Sequence, residues 1–169
     1  MTIVDNNILS SLAKVDRLAL LDTLFDEVAT TPSVLDELHT DDVAGYKFVS
    51  RIDDIKRYNG GWLRIRSPTE EEIEQTEEIV DASLSFTDGE CIAIADRRTE
   101  RLLTDDGHAG EIAAQREVDI WDFSLFLEAC AANGIIEDET ELETLIDELR
   151  EMDFYRSSQT ETERMFGQF

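Results

Sequence analysis

The sequence is poor in basic residues, and it has no long apolar stretch. Its 15 lysines and arginines stand against 40 aspartates and glutamates, which gives a formal net charge of −25. A surface of this sign repels nucleic acid at low ionic strength and, taken alone, argues against an enzyme that acts on RNA. No stretch approaches the roughly 20 apolar residues of a membrane span, and the opening residues MTIVD leave no room for a signal peptide. We therefore expect a soluble, cytoplasmic protein without a membrane partner.

Cysteine is also scarce. The two cysteines, Cys91 and Cys130, are far apart and lack the CxxC spacing of a zinc or redox site, so we expect buried, reduced thiols. The length of 169 residues and the hydrophobic content of 41% suit a single core. We predict one domain over residues 1–156, followed by a polar tail over residues 157–169 that is either mobile or docked.

The excess of acidic residues fits a protein that works in concentrated salt. At 1 M salt the Debye length falls to about 3 Å, and repulsion between surface carboxylates is screened. We therefore interpret the net charge as the mark of a halophile's cytoplasm. Function is then to be sought in individually placed carboxylates.

The hydrophobic pattern alternates short strand-like runs with helical spacing, which predicts an α/β fold. This order favours a parallel sheet flanked by helices over a bundle or a sandwich. Thr31 and Pro32 predict a helix start, as N-cap and first helical residue. We expect a three-layer α/β/α domain with a central parallel sheet of four to five strands, from segments at residues 2–4, 28–30, 62–66, 102–104 and 118–121.

Acidic residues stand next to the predicted strand ends. Asp5 directly follows the first strand, and Asp105 and Asp106 follow a later one. Asp88 and Glu90 open the helix that leads into that later strand. In a parallel α/β sheet, ligands collect beyond the carboxyl ends of the strands. Hard cations prefer oxygen ligands and stabilise the attacking and leaving oxygens of a phosphodiester displacement, so the sequence predicts a Mg²⁺ or Mn²⁺ site at this edge.

Four segments resemble the acidic motifs of PIN domains, the fold of VapC-type toxin ribonucleases. In chain order they are VDNNIL, PSVLDEL, LSFTDGECIAIAD and LLTDDGHAGEIA, and the later WDFSLFLEACAANGII and LIDELREMDF are similar to one archaeal and bacterial branch. The resemblance implies a metal-dependent endoribonuclease that cuts single-stranded or loop RNA to leave 5′-phosphate and 3′-hydroxyl ends. It also suggests two partners, an antitoxin protein and a second copy of the chain. The metal-site acids that it implies are Asp5, Glu37, Asp88 and Asp106.

The residues alone leave other roles open for two of the acids. Asp5 is also a suitable N-cap for a helix that begins near Ile8. The segment at residues 87–90 predicts a capping box, in which Thr87 accepts from the Glu90 amide while the Glu90 carboxylate reaches back. That arrangement would occupy Glu90, which is otherwise an alternative ligand to Asp88.

The remaining acids have alternatives as well. Asp105 neighbours Asp106 and is able to ligate a metal in its place. Glu37 lies beside the equally acidic Asp36, so only the family resemblance separates it from ordinary surface charge. The candidate metal ligands therefore comprise Asp5, Asp88, Glu90, Asp105 and Asp106.

Five polar residues are candidate contacts to the substrate or to the acids. Three arginines within five residues stand out in so acidic a chain, although ion pairs with neighbouring acids explain them at least as well. A histidine follows the Asp pair in a segment where the branch often has basic residues. In this chain the same segment also contains two glycines. An asparagine two positions after Asp5 is suited to orient Asp5 or a bound water. These residues are Asn7, Arg97, Arg98, Arg101 and His108.

Two other functions compete with the ribonuclease. A PIN fold that has lost catalysis would serve as an RNA- or protein-binding module; Gly107 and Gly110, which depart from the branch's basic pattern, favour it, whereas the intact acids argue against it. A phosphotransferase with an aspartyl nucleophile would also place Asp5 after the first strand. That chemistry requires a second acid two residues later, where Asn7 stands, and a downstream lysine, which the chain lacks beyond Lys56.

Unfolding in salt tests our interpretation of the net charge. Because salt screens repulsion among surface carboxylates, we expect the free energy of unfolding to rise between about 0.1 M and about 2 M KCl. Thermal unfolding followed by circular dichroism would measure this. A chain that is fully folded and active without added salt would contradict the halophile interpretation.

Overall fold

The computed structural model describes residues 1–40 and 45–169. One sheet of five parallel strands forms its centre, and helices cover both faces of this sheet. The expected three-layer α/β/α architecture is confirmed, although the edge strands are shorter than the alternating segments that predicted them. The strands are β1 (Thr2–Val4), β2 (Val28–Thr30), β3 (Arg64–Ile65), β4 (Arg101–Leu103) and β5 (Ile120–Trp121), in the spatial order β3-β2-β1-β4-β5.

The described residues contain ten α-helices, and local sequence sets many of their ends. Thr31 accepts a hydrogen bond from the Val34 amide and Pro32 is the first helical residue, as predicted. The helices are α1 (Asn6–Lys14), α2 (Ala19–Leu24), α3 (Pro32–Leu38), α4 (Lys47–Ile55), α5 (Glu70–Ile79), α6 (Phe86–Arg98), α7 (Gly107–Gln115), α8 (Phe123–Ala132), α9 (Glu139–Asp153) and α10 (Gln159–Phe166).

The strand order changes direction next to β1. The chain runs outward from β1 to β2 and β3, and then returns to place β4 on the other side of β1. Val4 pairs in register with Leu103, so the residues that follow these two strands emerge side by side. In open parallel sheets, this switch point at the carboxyl ends of the strands is where ligands bind.

The hydrophobic core lies on both faces of the sheet. Ile3 and Val4 of β1 and Leu103 of β4 are fully buried, as continuous apolar strands of a covered parallel sheet should be. Helix α6 contributes the buried run Ile92–Ala95, and its burial on several sides explains why this helix lacks a clear polar face. Both cysteines are buried free thiols.

The C-terminal residues form a helix that packs on the domain. Helix α10 lies against α8, and its Met165 is fully buried. Ser158 begins α10 through a capping box with Glu161. Helix α10 lies within residues 157–169, for which the sequence predicted a polar tail. Among the described residues, no helix has both the length and the apolar character that crossing a membrane requires.

An ion pair between Glu72 and Arg98 joins α5 to α6. The Glu72 side chain is only 3% exposed, and both of its oxygens accept hydrogen bonds from the Arg98 guanidinium, each at 2.7 Å. The guanidinium lowers the pKa of Glu72 below its ordinary value of 4.5. This pair therefore stabilises the fold at neutral pH, and the stabilisation is lost as the pH falls through the lowered pKa.

Replacing Arg98 by alanine would leave a buried carboxylate without its partner. We expect Arg98→Ala to lower the free energy of unfolding at neutral pH by about 3 kcal/mol. The difference from the wild type should disappear in acid, because protonated Glu72 no longer needs a cation. Urea unfolding at neutral and acidic pH would measure both effects.

Arg150→Ala is the matched control for this substitution. Arg150 pairs with Asp147 on the surface of α9, where the two side chains are 50% and 68% exposed. Exposed pairs contribute less than about 1 kcal/mol, so we expect little change. Equal losses in the two variants would contradict the assignment of Arg98 and Glu72 as a structural pair.

Candidate metal centre

Asp5 is the most deeply buried of the predicted acids, with 2% of the residue exposed. One carboxylate oxygen accepts a hydrogen bond from the Ile8 amide at 2.9 Å, which caps α1. The other accepts from the Thr104 hydroxyl at 2.6 Å. Burial raises the pKa of Asp5 to about 7, although these two hydrogen bonds lower it. The charges of Asp88 and Asp105 raise it as well.

Asp106 begins α7 in the way that Asp5 begins α1. Its Oδ1 accepts a hydrogen bond from the Ala109 amide at 2.8 Å. Its own amide donates to the Thr104 hydroxyl oxygen at 3.2 Å. Because the same hydroxyl donates to Asp5, Thr104 links the two acids that follow β1 and β4.

Asp88 lies in the first turn of α6, near both Asp106 and Glu37. Its carboxylate accepts from the Ser85 hydroxyl at 2.7 Å. Partial burial raises the pKa of Asp88, and the charges of Asp106 and Glu37 raise it as well. Ser85, and not Thr87, is the N-cap of α6. The capping box that the sequence predicted is therefore wrong, since the helix begins two residues earlier.

Glu37 is held between two helices. Its Oε2 accepts from the Asn6 amide nitrogen at 2.9 Å, and its Oε1 accepts from the Thr87 hydroxyl at 2.7 Å. Asn6 lies on α1 and Thr87 on α6, so α3 presents this carboxylate to the same edge as the aspartates. Glu37 is half-buried, whereas its neighbour Asp36 is exposed. Its contacts thus distinguish Glu37 from ordinary surface charge.

The two alternative ligands have different surroundings. Asp105 accepts a hydrogen bond from the Phe123 amide at 3.3 Å, and its charge still acts on Asp5. Glu90 is buried and accepts from the Ser33 amide at 3.4 Å, in the first turn of α3. The amino end of a helix favours a negative charge. Glu90 therefore has a structural contact of its own, while Asp105 borders the acidic group.

No basic side chain of residues 1–40 and 45–169 forms an ion pair with Asp5, Glu37, Asp88 or Asp106. Within the same residues, no three or more His, Cys, Asp or Glu side chains lie close enough together to hold a metal ion by themselves. Mg²⁺ typically needs only one or two carboxylates, with waters and substrate phosphate as its other ligands. An all-oxygen, uncompensated group of acids fits an open site for Mg²⁺ or Mn²⁺.

Of the predicted substrate contacts, Asn7 lines a groove with Glu37 and Asp105, whereas the other four contact acids outside this group. The three arginines form ion pairs, two with glutamates of α5 and one, at the start of β4, with the aspartate before β5. His108 lies in the first turn of α7, with Nε2 3.3 Å from Asp81. Asn7 is exposed, and it is Asn6 that contacts an acid. The arginine pairs are Arg97–Glu71, Arg98–Glu72 and Arg101–Asp119.

Three positioning residues were missed by the sequence reasoning. Asn6, Thr87 and Thr104 hold the carboxylates of Glu37 and Asp5 through their side chains. Each is a small polar residue directly adjacent in sequence to a predicted acid. That adjacency does not identify the partner, because each of the three contacts an acid other than its neighbour in sequence.

Comparison with known proteins agrees with this fold. No curated protein is significantly similar to the chain. Among solved structures, the chain resembles VapC20 of Mycobacterium tuberculosis, described as a sarcin-ricin loop cleaving toxin, with a TM-score of 0.53 and 19% sequence identity over 66% of this chain and 95% of that one. At this identity the likeness shows the fold. A family model described as PIN domain matches residues 1–165, and the chain therefore belongs to the PIN-domain family.

Proposed function

We propose that this chain is a metal-dependent endoribonuclease. The observation that carries the proposal is the uncompensated group of carboxylates at the switch point of the sheet, which is formed by Asp5, Glu37, Asp88 and Asp106. Like charges in partly buried surroundings oppose one another unless a proton or a cation joins them. Membership of the PIN-domain family supports the same function.

Asp5, Asp88 and Asp106 are the residues that would hold Mg²⁺ or Mn²⁺, with Glu37 beside them. When bound, such an ion stabilises the charge that develops on the attacking and leaving oxygens of phosphodiester hydrolysis. The contribution of the chain is to keep the carboxylates in place. Thr104 fixes Asp5 for this purpose, as the hydroxyl and amide donors on α1 and α6 fix Glu37.

Single-stranded or loop RNA is the proposed substrate, and an antitoxin protein is a proposed partner. The support is the VapC20 structure, a toxin described as cleaving the sarcin-ricin loop, whose fold this chain resembles. The same proposal includes a homodimer of this chain and the cytoplasm as its location. The net charge of −25 would then be screened by the salt of that cytoplasm.

A catalytically silent RNA- or protein-binding module is the second candidate. The observation that favours it is that Arg97, Arg98 and Arg101 pair with acids away from the site, so none of these three arginines contacts the carboxylates. Metal titration separates the two functions. Saturable Mn²⁺ binding that depends on the acids supports the nuclease, and RNA binding without metal supports the module.

Replacing Asp5 or Asp106 by asparagine should abolish cleavage while preserving the fold. Asparagine is as good an N-cap as aspartate, so α1 and α7 keep their starts, but an amide is a much poorer cation ligand. We expect Mn²⁺-dependent cleavage of single-stranded RNA to fall at least about 100-fold, because even residues that only orient ligands account for about 10- to 100-fold. Gel analysis of labelled RNA would measure the rate.

Asp138→Asn is the matched control. Asp138 caps α9 by accepting from the Glu141 amide at 2.8 Å, which is the same geometry away from the acidic group. This variant should cleave like the wild type. Undiminished cleavage by Asp5→Asn would refute the proposed metal site.

Metal binding should depend on pH through Asp5. Its pKa is about 7, and the proton must leave before the carboxylate binds a cation. Below pH 7 the proton competes with the cation, so we expect the affinity for Mn²⁺ to fall about tenfold for each pH unit. Above pH 7 we expect little dependence, so the plot of affinity against pH should show a break near 7. Thr104→Val removes a hydrogen bond that favours the charged form, and it should move the break to higher pH. Calorimetric titration would measure both.

Thr144→Val provides the control for this pH profile. The Thr144 hydroxyl donates to the Thr140 carbonyl at 2.8 Å on the exposed side of α9, so its loss should leave the break near 7. A wild-type break near the ordinary aspartate value of about 4 would count against this assignment. So would an unshifted break in Thr104→Val.

A further inference from the structure

A groove of about 590 Å³ runs from the acidic group along α1. Glu37 and Asp105 lie at its acidic end. Its other lining residues include aromatic rings and two cationic groups, together with the carboxylate of Asp153, which pairs with Lys14, and we call this part the aromatic groove. It is formed chiefly by Asn7, Lys14, Phe48, Phe154 and Arg156.

Phe154 is the most unusual residue of the aromatic groove. It ends α9 with φ of 56°, a left-handed conformation that glycine or asparagine normally supplies. The turn itself has a structural purpose, because it lets Tyr155 enter the core and hydrogen-bond Ser124 at 2.8 Å. That purpose does not require a phenylalanine, and the Phe154 side chain is 80% exposed. Both the backbone and the exposed ring are therefore unfavourable for folding alone.

A second aromatic surface continues the groove on the α4 side. Tyr46 is 60% exposed, and its ring stacks on Phe48 with centroids 6.0 Å apart. The Lys14 ammonium lies 5.4 Å from the centre of the Phe48 ring. Lys14 and Phe48 also line a neighbouring hollow that includes Lys47 and Arg51. Flat rings and cations thus follow one another along a single path.

The charges of this path contrast with the rest of the chain. Four of the 15 lysines and arginines line the groove and the neighbouring hollow, in a protein with net charge −25. Two of the four form ion pairs, Lys14 with Asp153 and Arg51 with Asp16. No carboxylate of residues 1–40 and 45–169 forms an ion pair with Arg156, which is exposed. The overall field repels a polyanion, so any nucleic acid must be held by local contacts. Exposed rings with neighbouring cations are what single-stranded nucleic acid requires.

We propose that the aromatic groove binds single-stranded RNA beside the cleavage site, with one base stacked on Phe154 and another on the Tyr46 and Phe48 rings. Arg156 and Lys47 contact the phosphates between them. Stacking tolerates any base, so the groove selects unpaired nucleotides rather than a sequence. Paired bases are excluded because their faces are covered by neighbouring bases. The inference rests on the proposed ribonuclease function and assigns residues to its substrate binding.

Substitution of Phe154 tests the stacking contact. In full-length protein that also carries Asp5→Asn, a fluorescein-labelled oligouridylate of about 12 nucleotides reports binding by fluorescence anisotropy. We expect Phe154→Ala to raise Kd about tenfold, and Phe154→Leu to act similarly because it keeps bulk without a ring. Phe154→Tyr should bind like the parent. With the catalytic acids intact, Phe154→Ala should raise KM by the same factor and leave kcat unchanged.

Phe154→Gly separates binding from folding. Glycine relieves the left-handed backbone, so this variant should have a higher Tm than the wild type while binding RNA as weakly as Phe154→Ala. An oligonucleotide with abasic sites should remove the difference between parent and Phe154→Ala. Arg156→Gln should weaken binding and reduce its salt dependence, and Arg150→Gln, outside the groove, should do neither.

Phe169→Ala is the control for loss of an exposed aromatic ring, since Phe169 is 45% exposed and outside the groove. This variant should bind RNA like the parent.

Unchanged Kd and KM in Phe154→Ala, with cleavage intact, would overturn the groove proposal and leave the proposed nuclease function standing. The rings would then be assigned to a protein partner. If the wild type cleaves no RNA, the proposed function fails. Phe154-dependent RNA binding would in that case still support the groove, as the site of a silent binding module.

Discussion

Repulsion among carboxylates is the constraint on which the candidate site depends. Parallel pairing of β1 with β4 brings Asp5 and Asp106 to one edge, and α6 adds Asp88 beside them. A group of like charges keeps its place only when donors hold it there, and the described residues supply no cation for it. The donors are the amides of Ile8 and Ala109, in the first turns of α1 and α7, and the hydroxyl of Thr104. The amino ends of these helices thus serve both as connections in the fold and as partial positive charge opposite the acids.

Features set by neighbouring residues could be predicted, and features set by distant contacts could not. The strand-end positions of Asp5 and Asp106 follow from local hydrophobic pattern, because parallel strands place their carboxyl ends together. The capping box at Thr87 was wrong because Ser85 begins the helix two residues earlier. The Thr87 hydroxyl instead donates to Glu37, which lies 50 residues earlier in the chain. No local pattern contains that contact. The same limit hid the role of Asn6, whose partner is also Glu37.

The arginines show how composition weakens an argument from charge. In a chain with 40 acidic residues, a surface arginine usually finds a carboxylate on some other element. Arg98 does so on α5 and Arg101 does so next to β5, so neither reaches the acidic edge. Clustering in sequence therefore carries little information here. A cation that forms no ion pair among the described residues, such as Arg156, carries more information, and only the folded arrangement reveals it.

The capping roles of Asp5 and Asp106 also affect how relatives of this protein should be compared. Each of these aspartates starts a helix, and a relative that had lost catalysis would still need a residue of this kind for its fold. Their presence in another sequence is therefore weak evidence that the relative is active. Glu37 and Asp88 cap no helix with their side chains. Retention of those two acids is the more informative sign that selection has preserved chemistry.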